Sequence, residues 1–345
     1  MTKSKTILIT GGAGFIGSNF VRYLQQKYPF YKLIIVDLLT YAGSVENLPH
    51  GGANHASFEF WHGNVRNAEL IDTLVAQSDW VIHFAAETHV TRSIYDNLIF
   101  FETDVMGTQV LANAICKHKD RIERFIHISS SEVYGSAQTP LMEEEHPLCP
   151  MSPYASAKAG ADRLVYSYWV TYKIPVVIVR PFNNFGAYQH LEKVIPRFIT
   201  SCLLGEPLTV HGDGRALRDW IYVEDHCRAL DLILHRDILQ IAGEVINIGS
   251  GQSRDIRTLA EMICSKMNVP VSKIEFIGDR PGQVFRHTSS TQKAKRMLDW
   301  SIEISFEEGL DKTIEWYRRH RSWWEKQLWM RHIPIIAASG QRQMH

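Results

Sequence analysis

The sequence predicts an α/β fold, a doubly wound parallel sheet with a smaller lobe formed by the C-terminal half of the chain. Short, continuous apolar runs alternate with amphipathic helical segments through the first half. This pattern is typical of a parallel sheet with helices on both faces. The alternation becomes irregular near residue 180, so we assign residues 1–180 to the sheet domain. Residues 181–345 mainly form a second lobe and a C-terminal tail, with one strand near 245–250 returning to the sheet.

A glycine-rich turn follows the first predicted strand, the apolar run at residues 7–9. Gly11, Gly14 and Gly17 lead into a helical segment at residues 18–26. Glycines let backbone amides approach a pyrophosphate, and the N-terminus of a helix adds a favourable dipole. The strand, turn and helix therefore indicate a Rossmann-type dinucleotide site, although a tight turn without a ligand gives the same pattern.

Asp37 ends the second predicted strand, which covers residues 33–36. A carboxylate at this place accepts hydrogen bonds from the adenosine ribose and repels a 2′-phosphate. The sequence therefore predicts NAD rather than NADP as the cofactor.

The remaining elements of the sheet domain follow in order. Strands are predicted at residues 58–63, 80–84, 124–128 and 176–179, and helices at 68–77, 102–119 and 153–172. In the second half, helices are predicted at 222–234, 256–267 and 305–318 and a strand at 245–248, whereas glycines and prolines interrupt residues 181–215. This lobe is expected to cover the carboxyl edge of the sheet, where ligands of open α/β sheets bind.

Composition excludes several classes of function. The 345 residues contain 37 basic and 37 acidic side chains, so no excess of positive charge suggests nucleic acid as a partner. No apolar run approaches the ~18 residues of a membrane span, and no signal peptide is evident. The five cysteines are scattered, which suits a reduced, cytoplasmic setting. No metal is expected, and His50 and His55 fit a turn better than a metal site.

A tyrosine and a lysine four residues apart, Tyr154 and Lys158, begin the helix at 153–172 and share one face. A nearby ammonium group lowers the pKa of a phenol and makes it usable as a base. Tyr23/Lys27 has the same spacing but lies in the first helix. Tyr154 differs from Tyr23 in its position, because it follows the serine-rich strand end at residues 129–132. The hydroxyls of this strand end and Glu132 can contact a substrate. The alternative interpretation of residues 129–132 is a loop in which Glu132 is solvated.

The chain resembles the extended short-chain dehydrogenase/reductase family, and most of all its nucleotide-sugar 4,6-dehydratases of the dTDP-glucose type, over about residues 5–320. The motifs that carry the resemblance are Thr10-Gly-Gly-Ala-Gly-Phe-Ile-Gly17, Val36-Asp37 with Leu39-Thr-Tyr-Ala-Gly43, His83-Phe-Ala-Ala-Glu-Thr-His-Val90, His127-Ile-Ser-Ser-Ser-Glu-Val-Tyr-Gly135, Asn183-Asn-Phe-Gly186, Glu192-Lys193, Arg218-Asp-Trp-Ile-Tyr-Val-Glu-Asp225 and Asp279-Arg-Pro-Gly282.

The resemblance implies three groups of site residues. The catalytic group is Ser130, Ser131, Glu132, Tyr154 and Lys158. The cofactor group is Gly11, Gly14, Phe15, Ile16, Gly17, Asp37, Leu38, Thr40, Asn64, Val65, Phe84, Ala85 and Ala86, together with Tyr154 and Lys158. The substrate group is Thr88, Asn183, Glu192, Lys193, Arg218 and Arg280, with the two arginines expected to bind the pyrophosphate and nucleotide.

The chain departs from the dTDP-glucose pattern in its catalytic triplet. The family has Thr-Asp-Glu where this chain has Ser130, Ser131 and Glu132, and the missing aspartate is the acid that protonates the departing 6-hydroxyl. The Ser-Ser-Glu version resembles GDP-mannose 4,6-dehydratases and UDP-glucuronate decarboxylases instead. Asn64 and Gln283 also replace the usual aspartate and histidine.

The resemblance implies a redox-neutral reaction on a nucleotide-diphosphate sugar through a 4-keto intermediate. Tyr154 removes the O4 proton, Ser130 binds O4, and Glu132 takes the proton from C5 before water leaves C6. A decarboxylase or epimerase that uses the same intermediate is the alternative, and an NAD-binding protein without catalysis is a further one.

The family also pairs the helices at 102–119 and 153–172 in a homodimer, with Leu164, Val165 and Trp169 expected near the interface. Trp323, Trp324 and Trp329 are anchors on the body or on a partner subunit.

Overall fold

The computed structural model describes residues 4–49, 58–278, 282–331, 334–336 and 342–344. Its strands are β1 (Thr6–Thr10), β2 (Lys32–Asp37), β3 (Glu59–His62), β4 (Trp80–His83), β5 (Arg124–Ile128), β6 (Val176–Pro181), β7 (Asn183–Phe185), β8 (Leu208–His211), β9 (Leu217–Tyr222), β10 (Val245–Ile248), β11 (Ser253–Asp255), β12 (Ile274–Ile277), β13 (Pro334–Ile336) and β14 (Arg342–Met344). Its helices are α1 (Phe15–Lys27), α2 (Ala68–Ala76), α3 (Val90–Tyr95), α4 (Leu98–Phe100), α5 (Gly107–Lys117), α6 (Pro153–Tyr172), α7 (Val194–Leu204), α8 (Val223–His235), α9 (Ile238–Ile241), α10 (Ile256–Met267), α11 (Gln292–Leu298), α12 (Phe306–Arg319) and α13 (Arg321–Glu325).

Seven parallel strands form the central sheet in the order β10-β6-β5-β4-β1-β2-β3. The order reverses direction between β1 and β4, which leaves a crevice at the carboxyl ends of these strands. The predicted doubly wound α/β fold is therefore confirmed. β10 comes from the second half of the chain and pairs with β6 at one edge of the sheet.

Apolar side chains cover both faces of the sheet because successive residues of a strand point to opposite sides. On one face, Ile7 and Ile9 of β1 pack with residues of α1, α8 and α11. On the other face, Leu8 packs with residues of α2, α5 and α6. Both faces of each central strand are therefore buried, which explains why the strands are continuous apolar runs in the sequence.

The second lobe has its own hydrophobic core. Helices α7, α10 and α12 pack there around Phe198, Ile263 and Tyr317, beside the small sheets β11-β9-β7 and β12-β8. Helix α7 was not predicted, because Pro196 and the surrounding glycines and prolines resemble a loop. Pro196 lies in the first turn of α7, where proline is tolerated, and Gly205 ends the helix with a left-handed backbone.

The helix predicted at residues 102–119 is interrupted. Residues Phe101–Met106 form a π-helical turn, and the regular helix α5 begins only at Gly107. A Cβ atom at Gly107 would lie 2.6 Å from the Val65 side chain, so this turn packs closely against the loop after β3. The prediction of one regular helix was wrong here because periodicity does not distinguish an α-helix from an α-helix with one widened turn.

Two of the three tail tryptophans pack on the body of the same chain. Trp323 and Trp324 are buried, and the Trp323 indole donates a hydrogen bond of 2.9 Å to the side chain of Asn47. Asn47 in turn donates to the carbonyl of Ala13 in the glycine turn. Trp329 is exposed.

Within the described residues, no helix has the length and apolar character needed to cross a membrane. The five cysteines are all free thiols, and Cys149 is exposed.

A buried ion pair joins α6 to the sheet. The Arg180 guanidinium of β6 donates to both carboxylate oxygens of Asp162 at 2.8 and 2.9 Å, and also to the Tyr134 hydroxyl. Ser129, at the end of β5, donates to the same carboxylate. Although burial opposes it, hydrogen bonding and the charge of Arg180 hold the pKa of Asp162 well below its usual range.

We expect Asp162→Asn to lower the free energy of unfolding by about 3–5 kcal/mol, because it leaves the Arg180 charge buried without a counter-ion. The depressed pKa means that Asp162 stabilises the fold fully above its unfolded pKa of about 3.9, and that this contribution is lost as the pH falls below it. Denaturant titrations at several pH values measure both effects.

The exposed pair Asp213–Arg215 provides the control for this prediction. Asp213→Asn should change the free energy of unfolding by less than about 0.5 kcal/mol. Equal effects of the two variants would contradict the prediction.

Candidate active site

A cleft of about 470 Å³ lies between the carboxyl edge of the central sheet and the second lobe. All the predicted site residues that the structure describes line this cleft. They are Gly11, Gly14, Phe15, Ile16, Gly17, Asp37, Leu38, Thr40, Asn64, Val65, Phe84, Ala85, Ala86, Thr88, Ser130, Ser131, Glu132, Tyr154, Lys158, Asn183, Glu192, Lys193 and Arg218. Arg280, His50 and His55 lie outside the described residues.

The glycine turn is shaped for close approach of a ligand to the backbone. Gly11 has a left-handed φ of 69°, and a Cβ atom on it would lie 2.4 Å from the Ala85 nitrogen. Gly14 precedes α1 in extended conformation, and no side chain caps the first turn of that helix. The uncapped amides are donors that a pyrophosphate would satisfy, so the turn fits a dinucleotide.

Asp37 lies at the tip of β2 with its carboxylate fixed by the backbone. Its two oxygens accept hydrogen bonds from the amides of Leu39 and Ala13, at 2.8 and 2.9 Å. Burial raises its pKa, and the two amide bonds oppose that rise. A carboxylate held in this way fits the hydroxyls of a ribose and opposes a phosphate in the same place.

The serine-rich strand end forms a short 3-10 helix, Ser131–Tyr134, directly after β5. The Ser130 hydroxyl caps it by accepting a hydrogen bond of 3.1 Å from the amide of Glu132. Helix α6 begins beside it, with Ser152 as the N-cap and Pro153 in the first turn. These two helix starts bring Ser130, Glu132 and Tyr154 to the same wall of the cleft.

The Tyr154 phenol is buried, and its environment differs from the one expected from the sequence. Burial raises its pKa strongly, the charges of Asp104 and Glu132 add to the rise, and a hydrogen bond with Ser130 opposes it. Lys158 donates its hydrogen bond to the carbonyl of Ile128 at 2.7 Å rather than to Tyr154. Lys158 is not among the groups that shift the pKa of Tyr154 in the structure, so the expectation that Lys158 lowers this pKa stays a prediction.

Asp104 is a buried acid near Lys158 that the sequence reading missed. It lies in the π-helical turn, where one carboxylate oxygen accepts from the amide of Glu87 at 2.8 Å and the other has no hydrogen-bond partner within the described chain. Burial raises its pKa, and the charge of Lys158 opposes that rise. The sequence does indicate that Asp104 is buried, because it shares one helical face with the buried residues Thr108, Leu111 and Ile115.

His287 is a second residue that the sequence reading missed. Its ring is buried, with Nδ1 3.5 Å from the Ser131 hydroxyl and 3.8 Å from the Glu132 carboxylate. It lies in an irregular segment outside the quoted motifs, so no periodicity or spacing could have indicated it.

The second lobe contributes a buried, charged cluster around Glu192. Tyr41 donates to its carboxylate at 2.9 Å, and Arg92 lies 3.5 Å from it. Although burial opposes it, the charges of His89, Lys193 and His190 and the Tyr41 hydroxyl lower the pKa of Glu192 to about 2. Lys193 also donates to the Thr88 carbonyl at 3.0 Å, which ties the lobe to the loop after β4.

Two further polar groups of the lobe face the cleft. The side-chain oxygen of Asn183 is buried and has no hydrogen-bond partner among the described residues. Arg218 is buried on β9, and its guanidinium donates to the carbonyl of Leu217 at 2.9 Å. Amide oxygen and guanidinium are suited to the hydroxyls and phosphates of a polar ligand.

Comparison with known proteins gives one consistent result. The family described as GDP-mannose 4,6 dehydratase matches residues 8–313. A dTDP-glucose 4,6-dehydratase of Streptomyces niveus is 43% identical over 92% of this chain and 94% of its own length. The low-salt glycan biosynthesis protein Agl12 of Haloferax volcanii is 45% identical over 90% of this chain and 98% of its own. Among solved structures, the dTDP-glucose 4,6-dehydratase DesIV of Streptomyces venezuelae, with NAD bound, superposes with a TM-score of 0.88. It is 40% identical and covers 93% of this chain and 99% of that one.

We expect the purified protein to retain NAD and Gly17→Ala to lose it. A Cβ atom at Gly17 would lie 2.3 Å from the Gly11 carbonyl oxygen, so the first turn of α1 must move away from the glycine turn. Overpacking strain of about 1–3 kcal/mol corresponds to about 5- to 150-fold weaker binding. Chromatography of the nucleotide that each protein releases on denaturation measures how much NAD it retained. Gly160→Ala is the control, since its Cβ would make only an ordinary contact of 3.4 Å with Val105. Release of NADP, or full retention of NAD by Gly17→Ala, would count against the prediction.

Proposed function

The chain belongs to the GDP-mannose 4,6-dehydratase family of extended short-chain dehydrogenases/reductases, and we propose that it is an NAD-dependent nucleotide-sugar 4,6-dehydratase. The substrate is a nucleoside-diphosphate hexose with a hydroxyl at C6, and the product is the 4-keto-6-deoxy sugar nucleotide. The observation that supports this most directly is the wall of the cleft where Ser130, Glu132 and Tyr154 meet beside the glycine turn. A hydroxyl, a carboxylate and a phenol there can act on three neighbouring positions of one sugar.

The oxidation half of the reaction depends on Tyr154 and Lys158. When bound, NAD supplies a reversible hydride acceptor for C4 and a donor for C6. Tyr154 takes the proton from O4, and Ser130, which hydrogen-bonds the phenol, orients it. Lys158, held by the Ile128 carbonyl, provides positive charge at the base of the cleft. Since burial and the charges of Asp104 and Glu132 raise the pKa of Tyr154, we propose that bound ligands and Lys158 together favour its deprotonation.

The elimination half depends on Glu132. The 4-ketone acidifies the hydrogen at C5, and the Glu132 carboxylate removes it as a general base. Water then leaves C6 with the proton that its oxygen requires. The sugar and the diphosphate are held by Asn183, Glu192, Lys193 and Arg218 of the second lobe and by Thr88 in the loop after β4. Arg280 is proposed for the same role.

Decarboxylation of a uronic acid is less well supported by the geometry. A 6-carboxylate needs a cation near Ser131, whereas the structure places the His287 ring against that hydroxyl. Burial lowers the pKa of His287, so the ring is neutral near neutral pH. An NAD-binding protein without catalysis is disfavoured because Tyr154, Lys158 and Glu132 all line the cleft.

We also propose a homodimer formed through α5 and α6, in a cytoplasmic setting suited to the free thiols. The sequence places Leu164, Val165 and Trp169 near this interface. Val165 is buried in the core beneath the sheet, whereas Leu164 and Trp169 are half-buried, and the Trp169 ring packs against Gly243 of the same chain. Tyr166 and Val170, one turn apart on the outer face of α6, are exposed instead. Apolar side chains exposed at this spacing indicate a helix-packing surface.

We expect Glu132→Gln to reduce bound NAD when a sugar nucleotide is added but to stop before water is lost. The amide cannot take the C5 proton, and loss of such a group costs about 10²–10⁴-fold in rate. Near-ultraviolet absorbance reports NADH, and mass spectrometry of the product reports loss of water, with a panel of dTDP-, UDP-, GDP- and CDP-sugars as substrates. Glu145→Gln, on the exposed loop before α6, is the control. Normal turnover by Glu132→Gln, or release of CO₂ by the wild type, would contradict the proposal.

We expect light scattering to show a dimer at micromolar concentration and Val170→Asp to shift it to the monomer. A carboxylate at the centre of an apolar helix contact is buried without a partner, which is costly. The control is Leu239→Asp, a change at an exposed leucine on α9, away from the α5–α6 surface. A monomeric wild type would refute the proposed assembly.

A further inference from the structure

We propose that His287 and Ser131 form a proton relay that carries the proton from Glu132 to the departing 6-hydroxyl. This inference rests on the proposed dehydratase function and assigns the acid that the missing aspartate would supply. His287 is a positioning and relay residue: it touches Ser131 and Glu132 rather than the cleft itself.

The geometry places one ring nitrogen between the two groups that need to exchange a proton. The Nδ1 atom of His287 lies 3.5 Å from the Ser131 Oγ atom and 3.8 Å from a Glu132 Oε1 atom. Ser131 and Glu132 line the cleft, whereas the ring lies buried behind them. Small side-chain rotations close either distance to that of a hydrogen bond.

The opposite side of the ring is fixed and determines the tautomer. The Nε2 atom of His287 lies 2.7 Å from the Gly135 carbonyl oxygen, which can only accept, so Nε2 carries a hydrogen. In the neutral ring, Nδ1 is then an acceptor facing the Ser131 hydroxyl. Gly135 ends the same 3-10 helix that carries Ser131 and Glu132, so the ring and its two neighbours are held as one unit.

The charged groups around His287 keep the ring neutral between turnovers. Burial lowers its pKa, the Arg218 charge and the neighbouring His146 act in the same direction, and Glu132 and the Gly135 carbonyl oppose them. A neutral imidazole can take a proton and pass it on without holding it.

The proton balance closes without any further reactant. Glu132 takes the hydrogen of C5 as a proton, and the electrons of that C–H bond form the C5–C6 double bond. Glu132 passes the proton to Nδ1 of His287, Nδ1 passes it to the Ser131 oxygen, and the Ser131 hydroxyl proton goes to the oxygen leaving C6. That oxygen keeps the electrons of the C6–O bond and departs as water, which leaves His287 neutral and Glu132 ionised.

The test compares the two halves of the reaction in His287→Gln. The glutamine amide can still donate to the Gly135 carbonyl but cannot accept and release a proton. We expect NADH formation at the wild-type rate and water loss slowed by about 10²-fold. The Ser131→Ala and His287→Gln double variant should be no slower than the slower single variant, because both changes break one relay. Ser131→Asp should restore elimination to His287→Gln by supplying a carboxylic acid directly.

A readout that does not depend on turnover accompanies the kinetics. Nuclear magnetic resonance of the protein with isotope-labelled histidine should show His287 with hydrogen on Nε2 and a pKa below 6.5, and Ser131→Ala should shift its Nδ1 resonance. His235→Gln, which removes a partly buried imidazole at the end of α8 that does not line the cleft, is the matched control and should leave water loss unchanged.

Each result separates the relay from the proposed function. If the wild type removes no water from any sugar nucleotide, the proposed function fails. If the wild type removes water and His287→Gln removes it at the same rate, the proposed function stands and the relay alone is refuted. Equal slowing of NADH formation and water loss in His287→Gln would show a structural role and also overturn the relay.

Discussion

The buried pair of Asp162 and Arg180 is the interaction on which the active-site wall depends. It links α6, which carries Tyr154 and Lys158, to β6, and through Tyr134 and Ser129 it reaches both ends of the 3-10 helix. These bonds hold Glu132 and Tyr154, the bases that we propose for C5 and O4, in one rigid frame. Catalysis by positioned groups requires such a frame, since displacement of about 1 Å costs much of the rate.

The parts of the fold and site that follow from local chemistry could be predicted from the sequence. Continuous apolar runs predicted the seven strands of the central sheet but not the short strands of the second lobe. The glycine turn and Asp37 indicated one end of the cleft, because each of these features needs only neighbours along the chain. The strand at 124–128 and the helix at 153–172 lie at those residues in the structure. Tyr154 and Lys158 were found because a strand end and a helix start meet at one edge of a parallel sheet.

The parts that depend on distant segments could not be predicted in this way. His287 meets Ser131 across 156 positions of sequence, and it lies in an irregular segment without a pattern. The cluster around Glu192 joins the first and second lobes in the same manner. Asp104 is an intermediate case: its spacing indicated burial, but the widened helical turn that places it beside Lys158 left no signal.

The bond between Trp323 and Asn47, which are 276 positions apart, has a consequence for biosynthesis. A chain leaving the ribosome presents its glycine turn long before the residue that braces Asn47 behind that turn. Strand β10 and His287 also emerge long after the turn. The nascent chain thus completes its catalytic cleft only after these later segments have been synthesised, so a translation product interrupted before β10 would expose the sheet edge that β10 covers. Such an unpaired edge is a template for aggregation, so the late strand β10 protects the finished sheet from pairing with other chains.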